Sequence, residues 1–352
     1  MEKVKNQHYV PRSYLKYFAN KKGQIWVYDK QTDKKFISNI EGIASERFFY
    51  DVPFDQIMNS MLKIDSISKE EKEEMKKILE ETGYLTSEEA KHSMEQSVEK
   101  FFSEKIEGNF KQLLDKIRSR YTMMPSPLLS EALSDEERVH LSVLLAFQIV
   151  RSKEFREAYS ETKKATTQSI VDILAASHDD SYELGSLTYA PQYESKPLEH
   201  AQLIYSDFPF QLAEVLASHI WFIGVNQTSM PFYTSDNPVV KHAHKKDPFL
   251  GTDGYGSPGI EIAIPLSSKL ILVLVEKTYH HDLIQGDRLY MPITSEEYVI
   301  YYNSLQVFQS HRQVYCHDNS FDLISEMKKN EGSLARKPKK MIVNSFLGEN
   351  IY

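Results

Sequence analysis

Two residues near the start of the chain have the side chains that phosphate cleavage needs. His8 and Arg12 are four positions apart and flank Pro11 in the segment Asn-Gln-His-Tyr-Val-Pro-Arg. A neutral histidine can act as a general base near pH 7, and an arginine can hold a phosphate through two parallel hydrogen bonds. The pattern predicts part of a phosphodiester-cleaving site. The alternative is structural: His8 caps a buried turn, and Arg12 pairs with a helix carboxylate.

Two glutamates on a long helical pattern supply candidate carboxylates. Glu99 and Glu107 are eight residues apart, which leaves them roughly 80° apart on a continuous helix. Both lie at the margin of the apolar stripe of that helix. Either one could hold Arg12 or Arg151, bind a divalent metal, or act as an acid or base. Otherwise both are surface charges at the edge of the stripe.

Gln148 and Arg151 interrupt the most apolar stretch of the sequence. They are three positions apart and therefore share one face of a helix. A buried arginine is costly unless it is paired and hydrogen-bonded. We therefore expect a compensating negative charge, either an anionic ligand in a pocket or a carboxylate in a structural ion pair.

An acidic residue lies where a predicted strand runs into a turn. Asp236 belongs to the run Tyr-Thr-Ser-Asp-Asn-Pro, and strand ends often carry catalytic groups. Asp and Asn are also favoured in turns on purely local grounds. His242 and His244 alternate along an extended segment, so with Asp236 they could bind a metal. Alternatively, His242 and His244 belong to a solvated loop, and His280-His281 is likewise interpreted as a loop.

Several complete catalytic signatures are missing from the sequence. It has no phosphate-binding glycine loop, no His-Glu-x-x-His and no Gly-x-Ser-x-Gly. The His8 segment superficially resembles the opening of HNH nucleases, but the next histidine is His92, which is too distant for that motif. Ala263 stands two positions after Glu261, where a restriction-type nuclease core would have lysine. No cofactor is predicted, and a catalytic Mg²⁺ or Mn²⁺ is left open.

The elements that position these residues fall into two kinds. The middle is helical, with one helix predicted from Thr86 to about Tyr121 and another from about Asp135 to Tyr159. Capping boxes, in which a hydroxyl precedes Glu by three positions, mark helix starts at Ser68, Thr86, Ser134 and Thr294. The last third is predicted to hold a helix over 198–216, strands over 220–225, 231–233, 260–264 and 270–275, and a final helix over 294–314.

We expect an α+β fold, with a helical layer packed on a small mixed or antiparallel sheet and an N-terminal β-hairpin. The hairpin is predicted from the short apolar runs at 25–28 and 36–37. The expected division is an N-terminal turn-helix and hairpin (1–53), a helical region (54–178), a sheet-containing region with the final helix (197–320) and a basic tail (321–352). We expect these parts to form one compact unit.

Composition excludes several classes of protein. The chain has 352 residues and one cysteine, so a disulfide framework and cysteine-based zinc sites are excluded. No apolar run is long enough to cross a bilayer, and residues 1–10 lack the apolar stretch of a signal peptide, so we expect a cytoplasmic protein. Residues 1–37 carry nine Lys/Arg against three Asp/Glu, on an otherwise acidic chain of net charge −8. Basic ends are compatible with a phosphate-bearing partner, or simply solubilise the chain.

Taken together, the chain resembles the bacterial domain-of-unknown-function 4238 family. One departure is Ser152-Lys153, where such proteins often have Thr-Pro. The resemblance covers most of the chain to about residue 320 and rests on the following residues: Gln7 to Arg12, Tyr14-Leu15, Phe18, Glu46 to Tyr50, Glu99, Ile106-Glu107, Gln148, Arg151, Trp221, Thr234 to Pro238, Pro265 to Ser267 and Asn303.

The resemblance brings no catalytic mechanism with it. Similar proteins occur as single-gene candidates for anti-phage defence, which implies a toxic effector, most often a nuclease. Our first hypothesis is a nuclease that cleaves RNA, or secondly DNA, with His8, Arg12, Glu107, Gln148, Arg151 and Asp236 in one pocket. The second is a non-catalytic sensor for an anionic ligand or phage component. The third is a purely structural ion-pair network. The sequence leaves the oligomeric state open, a homodimer included.

Overall fold

The computed structural model describes residues 3–62, 68–81, 83, 87–124, 126–179, 181–190, 195–245, 253–336, 342–345 and 348–351. It confirms the predicted α+β fold. Helices form the middle of the chain, and strands from its two ends pair with each other beside them.

The N-terminal region contains the predicted hairpin and a second strand pair. β1 (Asn6–His8) pairs antiparallel with β4 (Ser45–Arg47). Between them lie the short helix α1 (Arg12–Leu15) and the hairpin of β2 (Gln24–Asp29) with β3 (Lys34–Asn39). The hairpin prediction is therefore confirmed, and β1 presents the His8 segment to the helical region.

The helix predicted from Thr86 to Tyr121 is interrupted, which corrects that expectation. Gln96 leaves helical geometry (φ −100°, ψ 17°), and residues Phe102–Ile106 form a π-helix. Thr86 lies outside the described residues, and Ser87 caps the helix that follows it. The helices here are α2 (Phe54–Leu62), α3 (Lys69–Glu81), α4 (Glu88–Glu95), α5 (Ser97–Phe101) and α6 (Glu107–Met123).

The next predicted helix also ends earlier than expected. α7 (Asp135–Arg151) stops because Ser152 is extended (ψ 150°), and the Ser152 side chain then accepts a hydrogen bond from the Phe155 amide to cap α8 (Lys153–His178). The capping box of Ser134 and Glu137 at the start of α7 is confirmed. The helix predicted over 198–216 is divided into α9 (Lys196–Ile204) and α10 (Phe208–Ala217), which has a proline in its first turn.

The last third of the chain supplies most of the strands. These are β5 (Ile220–Asn226), β6 (Thr234–Ser235), β7 (Val240–Ala243), β8 (Ile260–Pro265), β9 (Leu270–Val275), β10 (Tyr290–Ile293) and β11 (Gln313–Cys316), with α11 (Glu296–Gln309) between the last two. The strand predicted over 231–233 is displaced, since pairing begins at Thr234. The predicted final helix is shorter than expected because Ser295, not Thr294, caps it, and because residues from 313 onward pair as β11.

The largest sheet is mixed and has the order β10-β5-β9-β8-β7. Its only parallel pair among the described strands is β10 with β5. β9 lies in the middle and is buried along its whole length, as its unbroken apolar sequence predicts. A second sheet has the order β3-β2-β11-β6 and joins the N-terminal hairpin to the last third of the chain. This second sheet brings Asp236 close to the N-terminal region.

The C-terminal region contains α12 (Asp322–Glu331) and the pair β12 (Ile342–Ser345) and β13 (Gly348–Ile351). Part of the segment 247–259, which contains four of the thirteen glycines of the chain, lies outside the described residues. The main core unites α1, α6 and α7 with β5, β8 and β9. Within the described residues, no helix combines the length and the apolar character that crossing a bilayer requires.

Candidate functional site

Arg151 is the centre of the candidate site. Its guanidinium lies at the end of α7 with no exposed surface, and it stacks 4.2 Å above the ring of Phe102. Nη2 donates to Glu107 Oε1 at 2.9 Å and to the carbonyl of His8 at 2.5 Å, and Nε donates to the Tyr50 hydroxyl at 3.3 Å. The expected negative partner of Arg151 is therefore the carboxylate of Glu107.

The π-helix decides which way the two glutamates face. A π-turn inserts one residue into a helix, so the eight-residue separation of Glu99 and Glu107 acts like a seven-residue one. Seven residues make nearly two full α-helical turns, which leaves a rotation of only about 20° in place of the predicted 80°. The two glutamates are therefore expected on nearly the same face, and the charges of Arg151 and Glu107 both act on the pKa of Glu99.

Glu99 has the perturbed acidity that general acid–base catalysis uses. Burial raises the pKa of its carboxyl to about 7, and the nearby Glu107 carboxylate contributes, whereas Arg151 and Arg12 oppose the shift. Its Oε2 atom is buried and has no hydrogen-bond partner. At neutral pH, about half of such carboxyl groups carry a proton.

His8 stands at the end of β1 and is half-buried. Burial lowers the pKa of its imidazole, with a smaller lowering from the positive charge of Arg12. The ring is therefore neutral at pH 7, and its Nε2 atom is buried without a hydrogen-bond partner. Arg12 is exposed on α1, close enough for its charge to act on both His8 and Glu99. We refer to His8, Arg12, Glu99, Glu107 and Arg151 as the His8 cluster.

The His8 cluster contains three buried polar atoms that make no hydrogen bond. They are His8 Nε2, Glu99 Oε2 and Arg151 Nη1. Leaving a buried donor or acceptor unpaired costs about 1–3 kcal/mol each, so native structures rarely tolerate several together. The three atoms include one base, one acid and one cationic donor, which is the set that a reacting phosphate would engage.

Neighbouring residues hold the His8 segment in place. Gln148 donates from Nε2 to the carbonyl of Tyr9 at 3.2 Å, so it positions the backbone and does not offer a free amide. Gln7 is fully buried, and its Oε1 accepts from the Tyr50 amide at 2.6 Å. The sequence offered Gln7 only as part of a motif, and burial of a polar residue in β1 is visible only in the fold. Gln7 also donates to Asp51.

Asp236 lies apart from the His8 cluster. Its carboxylate accepts three backbone hydrogen bonds of 2.8 Å, from the amides of His311, Arg312 and Gln313. Burial raises the pKa of this carboxyl, although those amides and the Lys30 ammonium oppose the shift. Asp236 therefore fixes the turn before β11, and the structure gives it no described contact with the other predicted site residues.

Asp236 instead lines a pocket of about 440 Å³, which Tyr9 also lines. The pocket also contains several cations, each paired: Arg312 with Asp29, Lys153 with Glu46 and Arg336 with Glu154. Lys30 donates to the carbonyls of Val307 and Ser310, and burial lowers its pKa to about 8. A larger cleft of about 750 Å³ shares Ala335 and Arg336 with this pocket.

The structure does not bring Asp236 together with His242 and His244, as the suggested metal site would require. The oxygens of Asp236 are directed at the β11 backbone, whereas His244 bonds to Glu261 at 2.7 Å. The His242 ring lies 4.7 Å from that of His244 between centroids. The sequence gave no reason to pair Glu261 with these histidines, because no strand was predicted over 240–243 that could pair with the strand at 260–264.

Fold and site together define a class: an α+β protein with a buried, partly unpaired His–Glu–Arg cluster beside its N-terminal strand. Residues 6–320 match the model of a family described as a protein of unknown function (DUF4238), and the chain belongs to that family. The match includes every residue of the His8 cluster and Asp236. Neither a curated protein nor a solved structure matches the chain.

Proposed function

We propose that this protein cleaves the phosphodiester backbone of RNA at the His8 cluster. The observation that carries the proposal is the group of three buried, unpartnered atoms, His8 Nε2, Glu99 Oε2 and Arg151 Nη1. The fold bears the cost of burying all three without a hydrogen bond, and the charge of Arg151 acts on both His8 and Glu99. A phosphate group with its flanking oxygens would give each of them a partner.

The two titratable groups divide the proton transfers. His8 is neutral at pH 7 and accepts the proton of the ribose 2′-hydroxyl at Nε2. The 2′-oxygen then bonds to phosphorus, and the bond from phosphorus to the 5′-oxygen of the next nucleotide breaks. Protonated Glu99 gives its proton to that leaving oxygen. The products are a 2′,3′-cyclic phosphate and a free 5′-hydroxyl, and no other reactant is consumed.

The two arginines have different parts. Arg12 is exposed to solvent, where its guanidinium would meet an approaching phosphate. Arg151 is fully buried, and its bond to Glu107 fixes one amino group while Nη1 stays available for the charge that develops on the phosphate oxygens. Glu107 is a positioning residue, because its carboxylate is engaged by Arg151.

The proposed cleavage needs a 2′-hydroxyl and no metal, which separates it from nucleases that act on DNA. We expect purified protein to cut a short RNA in the presence of EDTA. The same strand with a single 2′-deoxy substitution at the cut position should remain intact. Cleavage that requires Mg²⁺ or Mn²⁺ and extends to DNA would replace this mechanism with a metal-dependent one.

Variants test the two proton-transfer residues. His8→Gln and Glu99→Gln should each lower the cleavage rate by roughly 100-fold or more. The matched controls are His178→Gln and Glu104→Gln. Both side chains are exposed to solvent, so these variants should cut at the wild-type rate. Circular dichroism and thermal unfolding confirm that each variant is folded. Full activity in both cluster variants would end the proposal.

The pH dependence gives a second, independent check. The rate should rise as His8 loses its proton below pH 6.5 and fall as Glu99 loses its own near pH 7. The profile is therefore bell-shaped, with its maximum on the slightly acidic side of neutrality. Glu99→Gln should remove the limb above pH 7 from whatever rate remains, because glutamine has no proton to lose.

The biological role that we propose is that of an anti-phage defence effector, on the strength of the family resemblance alone. The competing role is a sensor that binds an anionic ligand or phage component at the same cluster. A sensor would show ligand-dependent thermal stabilisation without any turnover of RNA or DNA. A protein that protects cells from phage only when His8 and Glu99 are intact, and that cuts RNA, would favour the effector.

A further inference from the structure

A second group of titratable residues lies far along the chain from the His8 cluster, on the large sheet. His242 lies on β7, and His244 is the first residue after that strand ends at Ala243. Their rings lie 4.7 Å apart between centroids, so they are on the same side of the sheet. Glu261 on β8 is the direct cross-strand partner of His242, which places its side chain on that side too. His280, in the segment after β9, brings its ring within 5.1 Å of the His244 ring. We refer to these four residues as the His244 cluster.

The separations of the rings match those of imidazoles that share one metal ion. An imidazole nitrogen lies about 2.0–2.1 Å from Zn²⁺, which puts the ring centroid roughly 3.2 Å from the ion. Two imidazoles at a tetrahedral angle then have centroids roughly 5.2 Å apart. The observed centroid distances are 4.7 Å for His242 with His244 and 5.1 Å for His244 with His280.

The His244 cluster also contains donor atoms whose bonding is incomplete. His280 Nε2 is buried and has no hydrogen-bond partner, and neither has the buried hydroxyl of Tyr301, whose ring lies 6.4 Å from that of His244. Glu261 is 8 % exposed. One of its oxygens bonds to His244, which leaves the other oxygen to complete a site.

The segment that carries His280 is firmly held. The Glu276 carboxylate accepts hydrogen bonds from the amides of Thr278, Tyr279 and Gly259, and these bonds lower its pKa to about 2. Gly259 has φ +79°, and its carbonyl accepts from the His244 amide at 2.9 Å. A side chain at this position would also meet Lys245 at 3.0 Å. These bonds tie the His280 segment to the end of β7.

We propose that His244, His280 and Glu261 bind a divalent transition-metal ion of the Zn²⁺ type, with His242 as the fourth ligand. Three imidazoles and one carboxylate are the donors that zinc and its neighbours favour, whereas Mg²⁺ and Ca²⁺ prefer sets made of oxygen alone. On binding, the ion replaces the hydrogen bond of His244 to Glu261, and the proton of that bond leaves for solvent.

A second group of possible metal ligands must be distinguished from the His244 cluster by experiment. Among the described residues, the donor atoms already within 4.8 Å of one another belong to Cys316, His317 and Asp318. The donors of the His244 cluster must therefore close on the ion by side-chain rotation. Cys316 is a poor competitor because burial raises the pKa of its thiol to about 12, and a metal binds the thiolate.

The test is a metal titration of the full-length protein after treatment with EDTA. Isothermal titration calorimetry with Zn²⁺ should show one ion per chain with a dissociation constant of about 1 µM or tighter. Mg²⁺ and Ca²⁺ should give no binding in that range. Co²⁺ should give the visible absorption of a tetrahedral ion bound by nitrogen and oxygen, without the charge-transfer band of a thiolate.

Variants locate the ion. His244→Gln and His280→Gln should each weaken Zn²⁺ binding more than roughly 100-fold, beyond the 10–100-fold typical for the loss of a supporting residue. His280 is partly exposed in the loop after β9, so its replacement should leave the fold intact. His317→Gln and His8→Gln are the matched controls and should bind Zn²⁺ as the wild type does.

Three results would overturn the proposal. The first is no binding at one ion per chain, and the second is a thiolate band with Co²⁺. The third is loss of binding in His317→Gln or His8→Gln with retention in His280→Gln, which would place the ion at one of the other two groups. None of these results depends on whether the His8 cluster cleaves RNA.

Discussion

Arg151 shows how one buried charge organises its surroundings. Its guanidinium would be costly in an apolar helix end, but Glu107, the His8 carbonyl and the Tyr50 hydroxyl each accept one of its hydrogen bonds. These partners belong to three segments that are distant in sequence, so a single side chain fixes α6, β1 and the segment after β4 relative to one another. The remaining amino group, Nη1, has no hydrogen-bond partner.

At the same scale, Glu99 should make the stability of the fold depend on pH. Its carboxyl has a pKa of about 7 in the folded protein against a reference value of 4.5. An acid with a raised pKa binds its proton more tightly when folded, so wild-type stability from this group falls as the pH rises from 4.5 to 7. We expect Glu99→Gln to gain roughly 1–3 kcal/mol relative to wild type between pH 5 and pH 8.

Urea unfolding of the wild type and of Glu99→Gln at pH 5 and pH 8 measures this difference in the free energy of unfolding. The other titrating groups are the same in both proteins, so their contributions cancel in the comparison. Glu104→Gln is the control, because Glu104 is exposed on the π-helix. A Glu99→Gln difference that does not change with pH would show that the carboxyl has an ordinary pKa, and would remove Glu99 as the acid.

At the scale of elements, the contribution of a helix cap to the stability of the fold depends on how much of the helix is buried. α7 and α3 both begin with a capping box, formed by Ser134 with Glu137 and by Ser68 with Glu71. α7 buries most of its second half in the main core, whereas α3 has no buried residue. The same local motif is therefore coupled to the core in one helix and not in the other.

We expect Ser134→Ala to destabilise the protein by about 1 kcal/mol, since α7 cannot lose its first turn without disturbing the core. Ser68→Ala should leave the midpoint of thermal unfolding unchanged, because α3 frays without exposing buried surface. Differential scanning calorimetry compares the two. Equal losses in both variants would mean that α3 is coupled to the core in solution.

At the scale of the whole molecule, the second sheet joins the two ends of the chain. β11 pairs with β2 from the N-terminal hairpin and with β6 from the last third. Asp236 holds the turn that leads into β11, and Lys30 at the end of β2 binds carbonyls at the end of α11. The position of the His8 segment therefore depends on contacts between residues that are several hundred positions apart.

Asp236→Asn should destabilise the whole fold by roughly 2–4 kcal/mol, because an amide presents one acceptor oxygen and a donor to three backbone amides. Folded Asp236→Asn protein should keep the RNA cleavage rate of the wild type. Asp179→Asn is the control, since Asp179 bonds to an exposed turn at Ser181. Normal stability with lost cleavage would return Asp236 to the catalytic residues.

Local patterns in the sequence determined the kinds of element and several of their positions. The apolar run of β9, the hairpin of β2 and β3 and the cap at Ser134 are local signals, and each is confirmed. The sequence also showed that Arg151 needs a partner, because a cation buried in an apolar helix must be paired and hydrogen-bonded. The sequence did not show that Glu107 is that partner.

Only the tertiary structure decided which residues meet. Three features could not be read from the sequence: the π-helix between Glu99 and Glu107, the hydrogen bonds of Asp236 to the backbone at the start of β11, and the pairing of Glu261 with His244. Periodicity in a sequence reports the face of one element and carries no information about its partner. Desolvation, which gives Glu99 and His8 their altered pKa values, exists only once those partners have excluded water.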